Sequence, residues 1–157
     1  MHITSTNYTV ADYCQTMTRH EIIVNRDYQR SDKVWPPAAK SFLIETILLN
    51  YPIPKLSLYQ RTDAKSRKTY KEIVDGQQRS QTILDFYNDK FRLSRFSQID
   101  KAAGKLYSEL EEEFQQTFLD YSLSADLLVS ATPEDLREVF RRINSYIAPF
   151  NSEEKRH

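Results

Sequence analysis

The sequence predicts an α+β domain, a small mixed sheet with flanking helices. Helical and strand-like segments interleave along the chain, two strand-like segments are close enough to pair as a hairpin, and the spacing is too irregular for a doubly wound parallel sheet. At 157 residues the chain suits one ordinary core, so residues 1–157 are read as a single domain. A hydrophobic content of 39% against 28% charge is globular composition.

Taken in order, Thr9 to Thr18 carries Val10, Tyr13, Cys14 and Met17 at helical spacing, with Thr9 as N-cap and Asp12 at the capping-box position. Glu21 to Val24 is short and β-branched, a strand, and the polar stretch from Asn25 to Trp35 has no period and ends at Pro36-Pro37. Pro37 fits the first turn of a helix whose Phe42, Leu43, Ile44, Ile47, Leu48 and Leu49 make it apolar on most sides, as in a buried element. After Asn50-Tyr51-Pro52-Ile53-Pro54 breaks that helix, Lys55 to Arg61 alternates as a strand. A charged loop, Thr62 to Lys68, joins it to a second strand, Thr69 to Asp75. Gln77 to Asn88 is a helix, so the Asp75-Gly76 step falls where a strand turns into a helix. Lys105 to Tyr121 reads as an acid-rich helix with one buried face, and Ala125 to Ala131 as a strand. Thr132-Pro133-Glu134-Asp135 opens a helix running to Asn144, and Asn151-Ser152-Glu153-Glu154 reads as a new cap with three residues left. A helix begun there and not finished predicts that the natural chain continues.

Several function classes fall away. The only glycines are Gly76 and Gly104, which excludes a glycine-rich Walker loop. The apolar run from Phe42 to Leu49 is far shorter than the roughly 20 residues of a membrane helix, and the amino terminus lacks a secretion signal, so a cytoplasmic protein is expected. One cysteine and three scattered histidines offer neither a disulfide nor zinc spacing. Twenty-two basic and twenty-two acidic residues balance, so any nucleic-acid contact has to be local.

A strand that turns into a helix presents backbone N–H groups able to receive a phosphate. Asp75-Gly76-Gln77-Gln78-Arg79 occupies that place. Gly76 permits close backbone approach, Gln77 and Gln78 supply amide donors, and Arg79 offers a bidentate fork for phosphate oxygens. Asp75 would repel a phosphate unless it holds a magnesium ion, a water or a ribose hydroxyl. The bland alternative is that Asp75 and Gln78 form a capping box and Arg79 is an ordinary surface arginine. Tyr28-Gln29-Arg30 is a second polar cluster, with Arg26, Lys33 and Trp35 nearby, able to bind phosphate and stack a base or else simply a loop pinned by Trp35. Arg141-Arg142-Ile143-Asn144 lies at an expected helix end, where the helix dipole favours arginines in any case.

These segments together, Tyr28-Gln29-Arg30, Val34-Trp35, the apolar helix to Pro52-Ile53-Pro54, Ile73 to Arg79 and Thr82-Ile83-Leu84, closely resemble the N-terminal domain of GmrSD-type modification-dependent restriction enzymes and their relatives BrxU and SspE. Phe140 to Asn144 and Pro149-Phe150-Asn151 look like that family's Phe-x-Arg-Ile-Asn segment, and the likeness spans most of residues 20 to 154. The resemblance implies a ParB/sulfiredoxin-like fold whose Asp-Gly-Gln-Gln-Arg motif binds and hydrolyses a nucleoside triphosphate, regulating a separate nuclease domain. Carried over by residue, Asp75, Gly76, Gln77, Gln78 and Arg79 become the triphosphate site, with Asp75, Gln78 and Arg79 catalytic. Tyr28, Gln29, Arg30, Arg142 and Asn144 line the same cleft. The family's His-Asn-His-type nuclease region is missing, since His157 is the last residue.

The expectation is therefore a control domain of an anti-phage restriction system. It takes a nucleoside triphosphate with magnesium, works with a C-terminal or partner nuclease, is not a nuclease on its own, and has modified phage DNA as a candidate partner. The rival readings are a module that senses modified DNA through the Tyr28 to Trp35 loop without turnover, and a pure protein-interaction domain.

Overall fold

The computed structural model describes residues 1–25 and 34–154, which form β1 (His2–Thr9), α1 (Val10–Thr18), β2 (Ile22–Val24), α2 (Pro37–Leu48), β3 (Leu56–Thr62), β4 (Thr69–Asp75), α3 (Gln77–Tyr87), α4 (Glu112–Asp120), β5 (Ser122–Val129) and α5 (Pro133–Glu154). The strands make one mixed sheet in the order β1-β5-β3-β4-β2. β1 with β5 and β3 with β4 are antiparallel, whereas β3 with β5 and β2 with β4 are parallel. The α+β class, the mixed sheet and the β3–β4 hairpin are as the sequence predicts. These directions put the C-terminal ends of β2 and β4 and the start of β3 at one end of the sheet, and the β3–β4 hairpin turn at the other.

Side chains alternate across a strand, so the central strands β3, β4 and β5 feed two cores. Leu56, Leu58, Ile73, Leu123 and Ala125 join the residues of α1, α2, α3 and α4 in the main core, around Tyr13, Ile44, Ile47, Ile83, Phe86 and Phe118. On the other face Val74 and Leu128 pack with Ala131 and Leu136, and Tyr59, Val139 and Phe140 lie against them, so α5 covers that side. Local signals set the helix starts. Thr9 Oγ1 accepts from the Asp12 amide at 3.1 Å, Pro37 occupies the first turn of α2, and Thr132 and Asp135 cap α5 reciprocally, each side chain accepting from the other's amide at 3.1 and 3.0 Å. Among the described residues no helix is long and apolar enough to cross a membrane.

Five expectations need correction. The first strand, β1, has no counterpart among the predicted elements. Phe42, 65% exposed, turns out of the core, so α2 is buried on one side and not all round. The acid-rich helix starts at Glu112 and not Lys105, because Leu110 and Glu111 are extended after a single 3-10 turn at Tyr107–Glu109. The strand expected at Ala125–Ala131 lies at Ser122–Val129, since Ser130 adopts a left-handed conformation (φ 57°) that ends it. One helix runs from Pro133 to Glu154, so neither a stop at Asn144 nor a new start at Asn151 occurs.

Candidate functional site

The site is built where β4 becomes α3. Gly76 is the N-cap of α3 and lies at φ 102°, a conformation that L side chains rarely adopt. A Cβ there would collide with Leu56 Cδ2, so the close approach that demands glycine is to the first residue of β3. No side chain caps α3, which removes the capping-box alternative for Asp75 and Gln78. The first turn is instead held from within the protein. Buried Ser80 meets the Tyr13 hydroxyl at 2.8 Å, and burial pushes that phenol far above its ordinary range.

Gln77 turns its side-chain amide back on β4, donating to the carbonyls of Ile73 and Val74 at 3.2 and 3.1 Å. Its expected amide donor is thus spent on the turn. Gln78 Oε1 accepts from the Trp35 backbone N–H at 3.4 Å, and its Nε2 makes no hydrogen bond with the described residues. Arg79 is not a surface arginine: its side chain is 15% exposed. Its Nη2 donates to the Lys55 carbonyl at 3.0 Å and stands 3.4 Å from Asp75 Oδ2, while Nε is buried with no hydrogen-bond partner. Asp75, the last residue of β4, and Arg79 in the first turn of α3 form an ion pair across the turn between them.

Two cavities flank the Trp35–Gln78 contact. One, of about 330 Å³, is lined by Val24, Val34, Lys40, Gln77, Gln78, Gln81, Thr82 and Asp85. The other, of about 350 Å³, is mainly apolar, with Trp35, Phe42 and Ile53 on its walls and Arg79 as its charged group. Tyr28, Gln29 and Arg30, with Arg26 and Lys33, lie outside the described residues. The chain leaves them after Asn25 and returns at Val34, so Val24 and Val34, on either side of that segment, both line the polar cavity.

Arg142 and Asn144 belong to α5, which covers the opposite sheet face. Arg142 Nε pairs with Glu138 at 2.7 Å and Asn144 donates to the Phe140 carbonyl at 2.8 Å, and neither residue lines these cavities. Glu138 holds both Arg141 and Arg142, and those hydrogen bonds bring its carboxyl down to about 2. Lys40, Gln81 and Asp85 line the polar cavity, and the sequence reading does not single them out. Gln77 or Gln78, Gln81 and Asp85 recur at helical spacing, a polar stripe on α3 that could have been read, whereas Lys40 gives no signal until α2 is placed beside α3.

Among the described residues no group of three or more His, Cys, Asp or Glu could hold a metal ion. The model of the GmrSD restriction endonuclease, N-terminal domain, matches residues 10–157. No curated protein matches the chain, and no solved structure does.

Proposed function

The chain belongs to the family of the GmrSD restriction endonuclease N-terminal domain, and from that premise we propose that it binds a nucleoside triphosphate at the start of α3, hydrolyses it slowly, and thereby controls the nuclease part of a restriction system. The observation that carries this reading is the convergence at one sheet end. An uncapped helix start after Gly76, Gln78 and Lys40 on one cavity, and the two chain ends that bracket Tyr28-Gln29-Arg30 all meet there.

Each residue has a task in that reading. The first-turn N–H groups of α3 receive phosphate oxygens, since a helix start carries unpaired donors and partial positive charge. Arg79 Nη1 makes no hydrogen bond with the described residues, so it remains for phosphate while Nη2 holds the side chain in place through Lys55. Lys40 adds a second cation, and Gln78 Nε2 positions the attacking water. Asp75 polarises that water or contributes one oxygen to a magnesium ion. Its side chain is one-third exposed, which suits a cation that draws one or two ligands from protein and the rest from phosphates and water. When bound, magnesium would neutralise phosphate charge.

Calorimetric titration of the purified chain with each of the four ribonucleoside triphosphates, magnesium present, tests the reading. At least one should bind, and Arg79→Ala should weaken it by about tenfold to a hundredfold, as expected for removal of a charge-assisted hydrogen bond. Arg79→Lys should recover part, because the ammonium keeps the charge without the fork. No binding by any triphosphate, or unchanged affinity and turnover in a folded Arg79→Ala protein, overturns the assignment.

A further inference from the structure

Charge in this neutral chain is unevenly spread. Residues 61–71 hold five basic side chains, Arg61, Lys65, Arg67, Lys68 and Lys71, against one acid, Asp63. They form the β3–β4 hairpin and its turn, at the opposite end of the sheet from the Asp75-Gly76 step. We propose that this hairpin is a docking surface for the phosphodiester backbone of duplex DNA, independent of the nucleotide site.

The hairpin is preorganised. Thr62 and Thr69 hydroxyls meet at 2.8 Å, the Asp63 amide donates to the Lys68 carbonyl at 2.9 Å, and the Arg67 amide donates to the Asp63 carbonyl at 2.7 Å. The acid of the turn, Asp63, and the acids on β4 and just ahead of β2, Glu72 and Glu21, are engaged. Asp63 accepts from the Ser66 hydroxyl and from the Lys65 and Ser66 amides, bonds that lower its pKa. Glu72 is buried and accepts from Arg61 and Asn25, and Glu21 is paired with Arg19 at 2.7 Å. Lys65, Arg67 and Lys68 are exposed and form no ion pair among the described residues. Beside them a cavity of about 610 Å³ is lined by Arg19, His20, Glu21, Lys68, Thr69 and Tyr70. Basic, hydroxyl and phenol groups are the donors that contact nucleic-acid phosphates.

The surface also discriminates between partners. The exposed large apolar side chains of the described residues are Met1, Ile3, Val34, Phe42, Leu49, Tyr51, Phe96 and Tyr146, none on this hairpin. A protein interface needs such anchors at its centre, and a phosphate backbone does not. Single strands want free aromatic faces for stacking, and the Arg61 guanidinium already lies over one face of each of the Tyr59 and Tyr70 rings, 5.8 Å from their centroids. A two-stranded ribbon enters the B-form major groove and is excluded from the deep, narrow groove of duplex RNA.

Equilibrium binding of the whole chain to a fluorescent 20-base-pair DNA duplex, over a series of salt concentrations, tests this. The Arg67→Glu/Lys68→Glu pair is compared with Lys90→Glu/Lys101→Glu, which changes net charge equally at exposed sites elsewhere. The hairpin pair should lower affinity at least tenfold and flatten the log–log salt slope by about 2, near 0.9 for each phosphate no longer neutralised, while the control pair leaves the slope unchanged. Lys65→Gln/Lys68→Gln, a milder change, should act in the same direction, with melting curves confirming that each variant is folded. No salt-dependent binding by the native chain, equal losses in the hairpin and control pairs, or equal affinity for RNA of the same sequence overturns the proposal. Binding that persists when no nucleotide binds leaves it standing and removes only the nucleotide reading.

Discussion

The two ends of β4 lie only about 20 Å apart, six residue steps of an extended strand, yet they are built on opposite rules. At the Thr69 end, exposed cations stand on a hairpin fixed by its own hydrogen bonds, and Asp63, Glu21 and Glu72 are already engaged. At the Asp75 end the chain turns through a glycine whose place no side chain fits. The arginine there is folded in to 15% exposure, with one Nη on a carbonyl. The first arrangement suits attraction acting over a Debye length, roughly 8 Å at physiological salt, and tolerates imprecise contact. The second suits short-range, directional contacts and tolerates almost no change of shape. Sequence positions at the two ends should therefore respond differently to substitution: stability at the Asp75 end, salt-dependent association at the Thr69 end.

Gly76→Ala should have the largest effect of any single change at either end. It forces a left-handed conformation on a residue with a Cβ, and that Cβ runs into Leu56 Cδ2. Backbone strain and overpacking, each about 1–3 kcal/mol, should together lower stability by about 3 kcal/mol or more. Urea titration followed by far-UV circular dichroism reads this directly, and a loss under about 1 kcal/mol would mean that the Asp75 end is as tolerant as the hairpin. Arg79→Ala comes next. An exposed arginine could be removed at about 0.5 kcal/mol or less, but here the change removes a largely buried side chain together with its bonds to the Lys55 carbonyl and Asp75, so about 1–3 kcal/mol should be lost even with no ligand present. The same denaturation measurement on the ligand-free protein distinguishes the two.

The sequence is more informative about the Asp75 end than about the sheet that carries it. The Thr9 and Thr132 caps, the β3–β4 pairing and a helix beginning just after Gly76 are all legible, because each depends on residues close in sequence. β1 is not, because His-Ile-Thr-Ser-Thr-Asn-Tyr-Thr is an edge strand, polar and largely exposed, and shows no alternation of apolar and polar residues. The parallel pairings of β2 with β4 and β3 with β5 join residues 49 and 69 apart in sequence, and local pattern does not reach that far. Asp75, Gly76, Gln78 and Arg79 stand together in the sequence itself, but the reason for Gly76 lies in Leu56 and the anchoring of Arg79 in Lys55, contacts that exist only once β3 lies beside β4. Arg142 and Asn144 enter the expected site only through the family resemblance, and α5 carries them to the other face of the sheet.

Glu72, midway along β4, tests whether the two ends are separately held. Its two carboxylate oxygens each accept one donor, Arg61 Nη1 at 3.2 Å from the hairpin side and Asn25 Nδ2 at 3.1 Å from the end of β2. Glutamine has one acceptor oxygen and would turn an NH₂ group toward the other donor. Glu72→Gln should therefore cost about 1–2 kcal/mol in thermal or urea unfolding. A cost near zero would mean that Arg61 and Asn25 find water instead, and that the hairpin is not tied to the rest of the sheet through this carboxylate.

The smallest expected effect belongs to Arg67, and it separates the two ends most cleanly. Arg67 lies at φ 62° in the hairpin turn, a conformation that disfavours any residue with a Cβ by roughly 1–2 kcal/mol. Glycine would remove that strain but bring about 0.5–1 kcal/mol of extra freedom in the unfolded chain. The two effects oppose, so Arg67→Gly should shift stability by no more than about 1 kcal/mol, in the stabilising direction if the strain is larger. The same variant removes one exposed cation, so the log–log slope of DNA binding against salt should flatten by about 0.9. Stability held or raised while the salt slope falls is what a surface made for electrostatic docking should give. Should Arg67→Gly instead destabilise the chain by about 2 kcal/mol or more, the order of magnitude of removing a buried interaction, the arginine would be a structural part of the turn, and the contrast between the two ends of β4 would fail.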